Sequence, residues 1–152
     1  MAVAEDFTIE EKEEQERMVL ESVDRFLERD VEPFAHDLEA DDTYPQEIVD
    51  KMVDMGLFGA TIGMEYGGLG LSVSTYAKIV ERVSTVWMSV SGIFNSHLIM
   101  AAAVERSGTE EQKAKWLPKF ASGELRGGIA LTEPDAGTDL QGIRTRADKS
   151  GN

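Results

Sequence analysis

A run without charged residues, from Val83 to Val104, most constrains what this chain can fold into. The run is too long for a single strand, and as a helix it is long enough to cross a membrane. Polar side chains interrupt it at seven positions, and each of them would be costly to place in lipid. These residues are Ser84, Thr85, Ser89, Ser91, Asn95, Ser96 and His97. We therefore predict no membrane span here, but a helix that other helices enclose on most sides.

Helical patterns also precede this run. Thr8 and Glu11 form a capping-box pattern, and apolar residues then recur at helical spacing between Val19 and Phe34. Pro33 lies inside this segment and should bend the helix or divide it.

Cap and turn residues delimit the helices that follow. Pro45 suits the first position of a second helix, and Gly56 suits its C-terminal end. The glycine-rich segment 57–71 is typical of a packed loop, because a phosphate-binding loop would need a preceding strand and a following lysine. A second capping box at Thr109 and Gln112 begins the last helix. The pattern predicts an all-α domain of about five main helices.

The sequence changes character after Arg126. Residues 127–131 and 143–148 have the pattern of short strands, and residues 150–152 have turn chemistry. We expect a helical domain over residues 1–125 and the truncated start of a β-domain over residues 126–152. The helical fold would therefore carry a short β tail.

Charge and composition exclude several classes of function. The net charge of −14 argues against nucleic acid and anionic membranes as partners. Cysteine is absent, and the two histidines, His36 and His97, lack metal-ligand spacing, so we predict no metal site. His97 could be a pocket residue or a hydrogen-bonded interior histidine, and the second is commoner. The acidic N-terminus does not resemble a signal peptide, so we expect a cytoplasmic protein.

A ten-residue motif gives the strongest indication of function. Ala130-Leu131-Thr132-Glu133-Pro134-Asp135-Ala136-Gly137-Thr138-Asp139, followed by Gly142, resembles the first signature of the acyl-CoA dehydrogenases. Three supporting stretches lie in the expected order. They are Tyr44-Pro45 before a helix ending in Met55-Gly56-Leu57, then residues 65–71, and then residues 108–113. Together these stretches extend the resemblance over almost the whole chain.

The resemblance implies an FAD enzyme that removes two hydrogens from an acyl-CoA thioester. It places Ile129, Ala130, Leu131 and Thr132 against the flavin, with Gly137 and Thr138 near its pyrophosphate. It also implies that Thr138, Ser91 and Asn95 contribute to the substrate site. Glu133 and Asp139 are structural acids in this pattern, and no residue of the chain is assigned as the catalytic base. The family carries that glutamate in its C-terminal region.

The resemblance also sets expectations for partners and alternatives. The parent enzyme would use electron-transfer flavoprotein or another acceptor and would form a homo-oligomer. We expect the 152 residues alone to be inactive and to bind FAD weakly or not at all. Two alternatives remain: a non-catalytic helical binding or assembly module on the same scaffold, and a related acyl-CoA oxidase or reductase.

Overall fold

The computed structural model describes residues 8–151. The prediction of a cytoplasmic location used the first seven residues, which lie outside the described residues. Asn152, in the predicted final turn, lies outside them as well. Five α-helices account for the regular structure of the described part. They are α1 (Ile9–Phe26), α2 (Glu32–Ala40), α3 (Gln46–Asp54), α4 (Val73–Ser107) and α5 (Glu110–Ala121). The prediction of an all-α fold of about five main helices is confirmed.

The first helix begins and is interrupted as its sequence predicts. The Thr8 hydroxyl accepts the Glu11 backbone N–H at 3.2 Å, and the Glu11 carboxylate accepts the Thr8 N–H at 2.7 Å. A π-helical turn, Leu27–Val31, separates α1 from α2, and Pro33 lies in the first turn of α2. Proline has no N–H to donate and its ring crowds the preceding turn, so the α-helical hydrogen-bond pattern is interrupted just before it.

The glycine-rich loop connects α3 to α4 through two 3-10 turns, Leu57–Gly59 and Met64–Tyr66. Pro45 lies directly before α3, and Gly56 ends that helix with a left-handed φ of 73°. The loop folds back on itself through backbone hydrogen bonds. The Ser72 hydroxyl then caps α4 by accepting the Thr75 N–H at 3.1 Å.

The central helix α4 contains the charge-free run and is kinked at Trp87, where φ is −154° and ψ is 103°. One face of α4 is buried in the hydrophobic core, where it packs against α1 and α5. Its buried residues include Ile79, Val83, Val90, Phe94, Leu98 and Ala101. The opposite face leaves Met88 and Ile99 exposed, so in the described residues α4 is covered on one side rather than on most sides. By length and composition α4 could cross a membrane, a test that the core helices of many proteins also pass.

The chain after Leu125 forms no helix longer than a single 3-10 turn and no strand in its described part. An isolated bridge joins Glu133 to Ala136, and a 3-10 turn spans Leu140–Gly142. The two predicted strands therefore do not form. A strand needs a neighbouring extended segment to accept its hydrogen bonds, and residues 127–131 and 143–148 have none in the described structure.

Candidate functional site

The signature motif forms a compact turn that Glu133 holds together. Its carboxylate accepts the backbone N–H groups of Arg144 and Thr145, each at 2.8 Å, and also accepts the Thr145 hydroxyl. The Thr145 hydroxyl contributes most to a lowered pKa of Glu133, and the two backbone N–H groups add to it. A carboxylate held ionised by three donors is suited to structure rather than to proton abstraction.

Asp139 has a similar role at the other end of the motif. Its side chain accepts the Gln141 N–H at 3.1 Å and caps the turn Leu140–Gly142. The buried Ala136 lies inside the motif and is bonded to the Glu133 backbone. Glu133 and Asp139 therefore both shape the loop.

The residues predicted to contact a flavin are accessible. Ile129, Ala130, Leu131 and Thr132 are all exposed, as are Gly137 and Thr138. Among the described residues, the hydroxyls of Thr132 and Thr138 have no hydrogen-bond partner, so both remain available to a ligand. A Cβ added at Gly137 would meet no atom within 4 Å, which leaves room for close approach to the backbone.

The entry to the motif runs across α4 and the start of α5. A Cβ at Gly128 would lie 3.7 Å from the Cβ of Ser96. Ile129 lines a surface cavity of about 360 Å³ with residues of α4 and α5. Its other lining residues include Met100, Val104, Gln112 and Trp116. The structure therefore places the start of the predicted flavin segment against residues 96–104 of α4.

The two predicted substrate residues of α4 differ in availability. Ser91 is buried at the kink, where its hydroxyl donates to the Met88 carbonyl at 2.7 Å and accepts from the Ser84 hydroxyl at 3.0 Å. Asn95 is half-buried, and its Oδ1 accepts the Tyr76 hydroxyl. Ser91 is thus engaged in shaping the kink, whereas the Asn95 amide nitrogen has no hydrogen-bond partner within residues 8–151 and is available to a ligand.

Tyr76, which was not identified from the sequence, contacts the candidate site residue Asn95. It lies at the start of α4, packs edge-to-face on Phe94 with ring centroids 6.2 Å apart, and donates its hydroxyl to Asn95. Burial raises its pKa to about 12, so the hydroxyl keeps its proton and orients the Asn95 amide. The pair is nineteen positions apart, and no local sequence pattern predicts such a contact.

His97 is buried between α4 and α5. Its Nε2 lies 3.1 Å from the Phe120 carbonyl oxygen, and its Nδ1 lies 3.4 Å from the Gly127 nitrogen. Removal from water is the main cause of its lowered pKa. Of the two interpretations of His97, the hydrogen-bonded interior histidine is the one that the structure shows. No group of three or more metal-ligating side chains occurs in the part of the chain described.

Comparison with known proteins gives a consistent result. The model of the N-terminal domain of acyl-CoA dehydrogenases matches residues 13–124. The chain is 39% identical over 140 residues to a (2S)-methylsuccinyl-CoA dehydrogenase of Cereibacter sphaeroides, covering 91% of this chain and 26% of that protein.

Solved structures agree in fold. A glutaryl-CoA dehydrogenase of Mycobacterium smegmatis in complex with FADH2 has a TM-score of 0.80 and 28% identity, covering 90% of this chain and 36% of that one. A solved structure described as the electron transferring flavoprotein of Acidaminococcus fermentans also matches, with a TM-score of 0.79 and 32% identity. The match covers 90% of this chain and 36% of the chain in that structure. The chain spans about a quarter to a third of the length of the relatives that it matches. It belongs to the acyl-CoA dehydrogenase family.

Proposed function

We propose that this chain supplies one part of the active site of an FAD-dependent acyl-CoA dehydrogenase, which catalyses α,β-dehydrogenation of an acyl-CoA thioester. The observation that carries the proposal is the exposed signature loop. Glu133 and Asp139 hold its turns, while Leu131, Thr132 and Thr138 are exposed. Ile129, just before the motif, lies beside α4. Exposed apolar side chains next to two exposed hydroxyls suit a ligand that combines an aromatic ring system with polar edges.

The residues present fit a flavin. Ile129 and Leu131 are 46% and 48% exposed and offer apolar contact to an aromatic ring system. The Thr132 hydroxyl can donate to an acceptor on the ring edge, and Thr138 can donate to a phosphate oxygen. The open space at Gly137 admits a phosphate close to the backbone. When bound, FAD accepts the hydride that leaves the β-carbon of the substrate.

The residues of this chain bind and orient the cofactor and the substrate. The signature loop fixes one face of the reacting centre, while α4 presents Asn95, aligned by Tyr76, to the acyl chain. Thr138 is placed to meet the substrate as well as the cofactor. Ser91 contributes indirectly, by holding the kink from which this face of α4 begins.

Proton abstraction from the α-carbon requires a desolvated base, which we do not assign to Glu133 or Asp139. Both acids serve the loop, and hydrogen bonds hold Glu133 ionised. We therefore propose that the base belongs to the part of the family's length that these 152 residues do not span. On that basis the 152-residue chain alone should be inactive and should bind FAD weakly or not at all.

The wider assignments follow from the same proposal. Residues 1–125 would form the helical domain, and residues 126–152 would begin a β-domain that supplies the missing strand partners. The substrate would be an acyl-CoA, and the electron acceptor would be an electron-transfer flavoprotein, which the match to the Acidaminococcus fermentans structure supports. We expect a homo-oligomeric cytoplasmic enzyme.

The loop assignment is tested by FAD titration of the protein encoded by the complete reading frame that contains this chain. Thr132→Val should weaken FAD binding about 3- to 10-fold, because it removes one hydrogen bond without changing the side chain's shape. Thr85→Val is the matched control, since Thr85 is exposed on α4 and bonds its own helix. Equal FAD affinity for the wild type and both variants would refute the role of Thr132.

A further inference from the structure

His97 joins three segments of the molecule through one imidazole ring. The ring is on α4, Nε2 faces the carbonyl of Phe120 at the end of α5, and Nδ1 faces the N–H of Gly127. The side chain is completely buried. Gly127 is two residues before Ile129, so the ring holds the chain just before it enters the predicted flavin segment.

The two neighbours fix the protonation of the ring. A carbonyl oxygen only accepts, so Nε2 must carry the proton that is donated to Phe120. A backbone N–H only donates, so Nδ1 must be unprotonated to receive Gly127. A neutral ring in its Nε2–H tautomer satisfies both contacts as hydrogen bonds.

The surrounding packing leaves the ring little freedom. Phe58 and Phe120 meet it edge-to-face, with centroids at 5.2 and 5.7 Å. A Cβ at Gly127 would lie 3.2 Å from the Met100 methyl, so the chain passes close to α4 at this point. An acceptor fixed by aromatic packing can hold the Gly127 N–H in one position.

We propose that His97 is a positioning residue for the flavin-binding segment: its unprotonated Nδ1 anchors Gly127 and thereby sets where residues 129–132 lie relative to α4. This inference rests on the proposed function. His97 touches neither cofactor nor substrate and acts through the backbone of Gly127.

Protonation of the ring would break this hydrogen bond, because Nδ1–H and the Gly127 N–H are both donors and would repel each other. Burial is the main cause of a pKa below the ordinary value of 6.5; the Phe120 and Phe58 carbonyls oppose the shift, and the Arg126 charge reinforces it. Arg126, on the same segment as Gly127, is the charged group facing the ring in the described structure. The anchor should therefore persist at neutral pH and weaken only in acid.

Two substitutions separate the two hydrogen bonds. In His97→Asn an amide oxygen can occupy the place of Nδ1 and still accept from Gly127. In His97→Gln the amide reaches the place of Nε2 and can donate to Phe120, but no acceptor remains for Gly127. Both variants lose the ring packing on Phe58 and Phe120, so they are matched controls for the loss of stability.

The experiment is hydrogen–deuterium exchange of peptides covering residues 127–132 in the full protein, together with FAD titration. Relative to His97→Asn, His97→Gln should exchange about 3- to 10-fold faster in this segment and bind FAD correspondingly more weakly, the effect of one lost hydrogen bond. Exchange in α1 should be alike in the two variants.

Equal segment exchange in the two variants, or exchange that follows global stability alone, would overturn the positioning role. The exchange measurement needs no flavin. A wild-type protein that fails to bind FAD would therefore refute the proposed function, while the Asn–Gln difference would still decide whether His97 anchors Gly127.

Discussion

At the scale of single residues, the glycine-rich loop shows why some positions admit no side chain. A Cβ at Gly68 would lie 2.1 Å from the Ile62 carbonyl oxygen, which is far inside any real contact. Gly92, on an exposed turn of α4, has open space around it. The sequence indicates that the loop is packed, but not which glycine is indispensable, because that depends on a backbone contact within the fold.

We expect Gly68→Ala to destabilise the protein by about 1–3 kcal/mol, because the backbone must move to relieve the clash. Gly92→Ala should instead stabilise it by about 0.5–1 kcal/mol, since alanine restricts the unfolded chain and favours helix. Urea unfolding of both variants measures the difference. Equal effects of the two substitutions would contradict this account of the loop.

A second residue-scale prediction concerns Asp30, which is buried in the π-helical turn. Arg29 at 3.0 Å, chiefly through its hydrogen bonds, and Lys51 at 2.7 Å lower the pKa of its carboxyl. The folded state therefore favours the ionised form. The resulting stability is present above the ordinary pKa of 3.8 and is lost as the pH falls through the lowered value.

Asp30→Asn should therefore be less stable than the wild type at neutral pH, and the gap should narrow in acid. Asp54→Asn, at an exposed position on α3, is the control. Thermal unfolding as a function of pH measures the gap. A gap that stays constant from neutral pH into acid would show that ionisation of Asp30 does not contribute.

At the scale of elements, the helix ends could be predicted and the kink in α4 could not. Ends depend on residues within one turn, such as Thr109 and Gln112, whose reciprocal hydrogen bonds are 3.2 and 2.8 Å long. No proline near Trp87 in the sequence indicates the kink. It is accompanied by hydrogen bonds from the Trp87 indole and the Ser89 hydroxyl to Glu39, on a different helix. Such distant contacts leave no local pattern.

Thr109→Ala should destabilise the protein by about 1 kcal/mol, because the N-terminal turn of α5 loses its cap. Thr85→Ala removes a threonine inside α4 and should be neutral or slightly stabilising, since alanine has the higher helix propensity. Guanidinium unfolding compares the two variants. If Thr85→Ala lowered the free energy of unfolding as much as Thr109→Ala, loss of the cap would not be the cause of the destabilisation.

At the scale of the whole molecule, the sequence predicts the helical domain correctly but does not predict the conformation of the chain after Arg126. The α-helices satisfy their hydrogen bonds within themselves, so the pattern of residues 8–125 suffices to predict them. The predicted strands need partners, and residues 126–151 form none without them. The motif identified the candidate flavin residues, but the contributions of Tyr76 and His97 depend on contacts between positions far apart in the chain.

The central claim, that this chain forms part of an FAD-dependent acyl-CoA dehydrogenase, is tested most directly by anaerobic flavin reduction. The protein encoded by the complete reading frame is mixed with a panel of straight-chain and branched acyl-CoA thioesters, and the visible absorbance of its flavin is followed. We predict that the flavin is bound and is bleached by at least one thioester, whereas the 152-residue chain supplied with FAD shows no bleaching. A full-length protein that binds no flavin, or whose flavin no thioester reduces, would contradict the account.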